Sequence, residues 1–321
     1  MKVGWILVVL FLSSACACSW KTSIPPGAGD APEVAVQSLH RSQQAVSLLG
    51  KPLYAPAPAP ETVEKYTAAK KAWEAAPDDA DLLIWYGRRA AYTGDYREAI
   101  RIFSMGIDRF PADARFYRHR GHRWITVREF ANAIEDLEKA AALIRSQADV
   151  MEPDGIPNPL NTPVSSLHSN IWYHLGLAYY LKNDLVNAKR CFGECQDSLG
   201  NSDNLVASTH WLYMILRRRG DTPGATAALD PIDKKMGISE NKAYFMLCLF
   251  YKGLIALDTL QGDEFSAIMD DAVAYGIGNW YLYTGNREEA RKMLASLVAG
   301  NGWASFGHIA AEADLAREFE K

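Results

Sequence analysis

Apolar residues recur at helical spacing over most of the chain. Leu83, Tyr86, Gly87 and Ala90 form one stripe, and Ala99, Ile100 and Phe103 form the next. Between them, Thr93-Gly94-Asp95-Tyr96 reads as a helix stop followed by a restart. The pattern predicts a helix, a tight turn and an antiparallel helix, and it then repeats. Gly87 and Gly121, Ala99 and Ala133, and Phe103 and Leu137 each lie 34 residues apart. The small residues let the paired helices approach closely, while the large ones fill the holes opposite. Units are expected at 80–113, 114–147 and 169–202. A drifted unit at 206–239 keeps Leu212, Leu216, Gly220-Asp221 and Ala225, and a degenerate copy near 271–300 keeps Gly278, Tyr281, Gly285-Asn286, Ala290 and Leu294. A helix at 61–76 precedes the array. Trp303 to Phe319 is expected to close it, with Glu and Arg on the outer face that a solenoid end requires. The apolar helix at 240–258 falls in no clean register.

The clearest unit carries Trp172, Leu175, Gly176, Tyr179, Ala188 and Phe192, and the first carries Gly87, Gly94-Asp95, Ala99, Phe103 and Pro111. This order resembles the tetratricopeptide repeat (TPR) signature, Trp-x2-Leu-Gly-x2-Tyr, then Ala-x3-Phe, then Pro. The resemblance covers roughly residues 60–320 and is weaker after about 230. It implies an all-α fold, a right-handed superhelical solenoid of antiparallel helix pairs that degenerates towards the C-terminus.

The N-terminus carries an address. Met1-Lys2 is followed by the apolar run Val3 to Leu12 and by Ser13-Ser14-Ala15-Cys16-Ala17-Cys18. A positive start, an apolar region and a small-residue cleavage zone make a secretory signal peptide. About ten apolar residues are too few to span a bilayer, which takes roughly twenty. The region resembles a bacterial lipoprotein signal, which implies lipidation at Cys18 or Cys16; simple secretion is the alternative. The expected organisation is a signal peptide at 1–17, a Pro/Ala-rich tether at 18–60 with a short helix possible over 33–49, and the repeat domain at 61–321. Pro52, Pro56, Pro58 and Pro60 favour a semi-rigid extended spacer.

One insertion interrupts the array at 146–168, with Pro153, Pro157, Pro159 and Pro163 beside Asp149, Glu152 and Asp154. A loop of this length is either a surface insertion or a segment that folds back over the concave face and shapes a site there.

Composition narrows the function. The 321 residues are 49% hydrophobic and 22% charged, with 34 basic and 38 acidic side chains and a net charge of −4. That balance supplies a sizeable core and argues against nucleic acid as a partner, which needs a basic excess. No zinc-ligand spacing, Gly-rich phosphate loop or nucleophile elbow occurs among the seven His and the Ser and Gly positions. No cofactor is expected, and an enzyme with a scattered site is the third reading. Cys191 and Cys195 read as buried small hydrophobes on one helix face.

A binding surface remains. In TPR proteins the first helix of each unit lines the concave groove. By that resemblance Arg88, Arg115, Arg118, His122, Asn170, Tyr173, Tyr180, His210 and Arg217 are the candidate partner-binding residues. Arg88 and His122 stand where the family's carboxylate clamp has Asn, so the implied groove is more generally electropositive. The leading expectation is an exported, lipid-anchored scaffold binding a protein or peptide, possibly anionic, in the bacterial cell envelope at the periplasmic face of the outer membrane. The runner-up is a glycan- or small-ligand-binding envelope lipoprotein, for which exposed Tyr173 and Tyr180 would supply stacking surfaces.

Overall fold

The computed structural model describes residues 42–156, 158, 160–261 and 271–319. The expected signal peptide, Cys16, Cys18 and the first part of the tether lie outside the described residues.

Fourteen helices follow a two-stranded hairpin among the described residues. Helix α1 (Pro60–Ala75) leads into pairs α2 (Ala80–Tyr92) and α3 (Tyr96–Arg109), α4 (Ala114–Thr126) and α5 (Phe130–Ile144), and α6 (Leu167–Leu181) and α7 (Leu185–Ser198). The pairs continue with α8 (Ser202–Arg218) and α9 (Thr222–Ala228), α10 (Lys242–Tyr251) and α11 (Leu257–Gln261), and α12 (Asp271–Tyr283) and α13 (Arg287–Val298); α14 (Phe306–Glu318) ends the chain. The fold is an all-α, TPR-like solenoid, as the periodicity predicts. No described helix is long and apolar enough to cross a membrane.

Local chemistry starts and stops each helix. Asp79, Asp95, Asp113 and Asp184 accept backbone N–H bonds at the starts of α2, α3, α4 and α7. The turn inside each pair holds one residue at positive φ: Gly94, Arg128, Asn183, Gly220, Gly253 and Gly285. That recurring turn places the helix the sequence left out of register. Gly253 ends α10 just as Gly94 ends α2, so residues 242–261 are a shortened fifth pair.

Packing follows the small-to-large rule. A Cβ added at Gly87 would lie 2.4 Å from Phe103, one at Gly121 2.6 Å from Leu137, and one at Gly176 2.9 Å from Phe192. Phe103, Leu137 and Phe192 are themselves almost wholly buried, each contributing roughly 1.5–3 kcal/mol. Cys191, Cys195 and Cys248 are buried free thiols, and burial pushes the first two up to about 12.

Two expectations are corrected, and one left open is decided. The end of the expected tether is part of the folded body: β1 (Gln43–Val46) and β2 (Pro52–Tyr54) form an antiparallel hairpin where a short helix was considered. Tertiary contacts override local preference there. Ala45 packs with Ile100 and Val127, Gln44 accepts from the Arg97 backbone N–H, and the Arg97 Nε donates to the Gln44 carbonyl at 2.8 Å. Secondly, the closing helix turns two of its three acids inward, leaving Glu318 part-exposed. Glu312 and Asp314 are each 1% exposed. Of the two readings of the insertion, the folded-back one agrees with the structure, where the loop lies over the first helices. Met151 bridges to Ser166, Arg88 donates to the Pro153 carbonyl at 2.8 Å, and Arg89 donates to the Gly155 carbonyl at 3.2 Å.

The solenoid therefore covers its own inner surface. Helix α14 packs on α12 and α13 and also reaches α6. Its Glu312 binds Arg128 of the α4–α5 turn, and its Asp314 binds Arg218 of α8. The hairpin joins this closure, since the Leu48 N–H donates to Glu312 and the Trp303 Nε1 donates to the Tyr54 carbonyl.

Candidate functional site

Helix α4 is unusually polar for a buried element, since Arg118, His119, His122 and Arg123 share it with the core residues Phe116, Gly121 and Ile125. Arg118 and His119 are 9% and 7% exposed. Charges held this far from water need partners. The insertion loop delivers one: Arg118 Nη2 lies 2.8 Å from Glu152 Oε2, and His119 Nε2 lies 3.6 Å from Glu152 Oε1. Asn170 of α6 donates to the same carboxylate and, at 3.1 Å, to the Ser165 hydroxyl. Arg118 Nη1 meets His119 Nδ1 at 2.9 Å, while its buried Nε has no partner.

Beside this cluster lies a cavity of about 320 Å³, bounded by Arg118, His122, Asn170, Tyr173, Tyr244 and Phe306. The His122 ring sits 4.3 Å from that of His174 and 5.2 Å from Phe306, so the start of α14 caps the cavity with an aromatic face. The Tyr173 hydroxyl accepts from Trp211 Nε1 at 2.8 Å and shares a proton with the Tyr244 hydroxyl at 3.0 Å.

Burial, reinforced by the neighbouring arginines, holds His119, His122 and His174 well below the usual imidazole range. All three are neutral at neutral pH and serve as hydrogen-bonding groups. Burial pushes the Tyr173 hydroxyl far up, so it stays protonated. Positive charge therefore resides on the arginines.

Of the nine candidate residues, Arg118, His122, Asn170 and Tyr173 meet at this cavity. Arg88 lies nearby, bonded to Pro153 and stacked 4.3 Å over Trp85. Arg115 pairs at 2.6 Å with both Asp113 and Asp81, the latter one repeat away. Arg217 donates to the Tyr213 hydroxyl and lies 4.6 Å over Tyr283. Tyr180 and His210 face no groove. Tyr180 is 1% exposed, with its hydroxyl bonded to Arg218, Tyr275 and Asn279. His210 is fully buried, stacked on Tyr244 and Tyr251, and burial pushes it down to about 3.

Sequence reasoning named Glu152 only as part of the insertion and missed His174, Tyr244 and Phe306 as parts of the site. His174 carried a signal, one turn beyond Asn170 on the same helix face. Phe306 carried none, since only closure of the superhelix brings it to His122. Among the described residues no Ser or Thr hydroxyl and no Cys thiol is hydrogen-bonded to a His ring, and no group of three acidic, Cys or His residues is placed to hold a metal.

No family model matches the sequence, and no curated protein does. Among solved structures the chain is similar to YrrB, described as a TPR protein with an unusual peptide-binding site, at 16% identity over 76% of this chain and 95% of that one, with a TM-score of 0.41. It is also similar to the APC/C hetero-tetramer Cut9-Hcn1, at 15% identity over 80% of this chain and 46% of that one, with a TM-score of 0.46. The TPR-like architecture rests on the helix pairs themselves and not on these superpositions.

Proposed function

We propose that the protein is an exported, lipid-anchored helical-repeat scaffold of the bacterial cell envelope that binds an anionic protein or peptide segment at the cavity between α4 and α6. The observation that carries this reading is the cavity itself. Its lining brings together Arg118, whose buried Nε is unpartnered, the Asn170 amide and the neutral imidazoles of His122 and His174. Buried donors in a confined space favour a ligand that brings charge-assisted acceptors. The insertion and α14 both contact the inner helices beside this cavity. A chain end or one acidic side chain fits about 320 Å³.

The glycan reading is less favoured. The Tyr173 hydroxyl is committed to Trp211 and Tyr244, and Tyr180 is core, so neither offers a free stacking plate. The envelope address rests on the sequence before Ala17 and is tested by metabolic labelling with a fatty-acid probe. The label should appear on wild type and vanish when Cys16 and Cys18 are both changed to Ser.

Binding is tested by capture from envelope extract with the mature chain, followed by titration of acidic peptides drawn from the captured partner. Arg118→Gln and Asn170→Ala should each weaken binding about tenfold or more, and Arg101→Glu on an outer helix should not. Affinity should fall with salt. Equal affinity for wild type and both cavity variants would overturn the cavity as the binding site.

A further inference from the structure

On the other side of Arg118 lies a second, smaller cavity of about 140 Å³, lined by Arg88, Tyr92, Arg118, His119, His122 and Arg123. None of its polar lining residues is acidic. Three guanidinium groups converge there from two adjacent first helices, and the charge around them does not balance. Glu152 pairs with Arg118 only. Asp154 is close enough to Arg88 for the two charges to interact, yet forms no ion pair with it. Among the described residues, Arg88 is held by a carbonyl, a Tyr hydroxyl and the Trp85 ring, and Arg123 by the Tyr96 ring at 5.5 Å.

We propose that this arginine-lined cavity is a binding site for a phosphate group. Guanidinium forks match the oxygens of a tetrahedral oxyanion in pairs, and a dianion offsets both unpaired charges. Tyr92 and the neutral His122 add donors without adding charge. Burial, and to a lesser extent the nearby Arg118 and Arg88, pushes Arg123 down to about 10. Half-buried Arg88, Tyr92 and Arg123 form its more accessible part. Its volume suffices, since about 10–15 Å³ of such space already takes a water. A planar carboxylate monoanion would use fewer of the donors and leave one charge unmatched. The site goes beyond the peptide reading and stands without it, because neither Arg88 nor Arg123 lines the larger cavity.

The test is isothermal titration of the full mature chain in low-chloride buffer with inorganic phosphate, glycerol 3-phosphate and acetate. Melting temperature is followed in parallel. Phosphate should bind saturably and raise the melting temperature. Arg123→Gln and Arg88→Gln should each weaken it roughly tenfold or more. Arg190→Gln, on the exposed face of α7, should leave it unchanged, and acetate should compete weakly or not at all. Arg123→Lys, which keeps the charge and loses the fork, serves if the Gln variant unfolds; it should bind less tightly than wild type. Glycerol 3-phosphate displacing phosphate identifies an organic phosphomonoester as the ligand, and its exclusion identifies the free ion. A non-saturating rise in melting temperature that survives in both Gln variants is general salt stabilisation and overturns the proposal, as does absence of heat with phosphate at millimolar concentration. Loss of peptide binding with phosphate binding intact would sink the partner reading alone.

Discussion

The pair that locks α14 into the inner surface invites a quantitative test. Arg128 and Glu312 are 3% and 1% exposed at the side chain, with Nη2 to Oε1 at 2.6 Å and Nε to Oε2 at 3.1 Å. Glu312 also accepts from the Leu48 N–H at 3.1 Å and lies 3.3 Å from His308 Nε2. Changing Glu312 to Ala removes all of these at once. It leaves a buried guanidinium held only by the Thr126 and Trp303 carbonyls. Removing one partner of a buried pair costs about 3–5 kcal/mol, because the other charge stays desolvated and uncompensated. Replacing both, as Arg128→Met with Glu312→Leu, should recover much of that loss by packing. The exposed pair Arg190 and Glu138, at 43% and 39% exposure, sets the contrast: Glu138→Ala should cost less than about 1 kcal/mol. Repeat arrays unfold in parts, so urea melts should be read alongside amide hydrogen exchange. Protection should fall first in α14 and in the hairpin at Leu48. If Glu312→Ala stays within about 1 kcal/mol of wild type, with α14 protection unchanged, the pair does not hold the closure.

Two further outcomes follow from packing and titration. Gly87→Ala, Gly121→Ala and Gly176→Ala should each cost about 1–3 kcal/mol through overpacking. Gly193→Ala in α7, where an added Cβ meets nothing within 4 Å, should stabilise by about 0.5–1 kcal/mol; unchanged melting in the first three would contradict the helix-pair geometry. Acid should destabilise the fold. His119, His122, His174 and His210 sit below their ordinary value of 6.5 when folded, so the unfolded chain takes up protons first, and stability present above that pH is lost as pH falls below it. For His210, held near 3, the loss by pH 5 is about 2 kcal/mol; a melting temperature constant from pH 7.5 to 5.5 would refute this.

Much of the site's scaffold was legible in the residues. The spacing that aligned Arg88 with His122 was enough to put Arg118 and His122 on an inner wall, because helices of one repeat face the same way as helices of the next. Asn170 and Tyr173 followed by the same register. Tyr180 and His210 were misjudged because an inner-facing position is exposed only if nothing further along the chain covers it. Asp314, Tyr275 and Asn279 cover Tyr180, and Tyr244 and Tyr251 cover His210.

The helix pairs, their glycine-to-aromatic contacts, the buried cysteines and the polar face of α4 were determined by sequence alone. Each depends on neighbours within a turn or within one repeat, where periodicity is a direct record of which side chains meet. The docked hairpin, the Glu152 carboxylate over Arg118, and α14 across the inner surface were decided only by tertiary structure. Arg128 and Glu312 lie 184 residues apart. Their meeting depends on curvature summed over every intervening pair, and no local pattern encodes that sum.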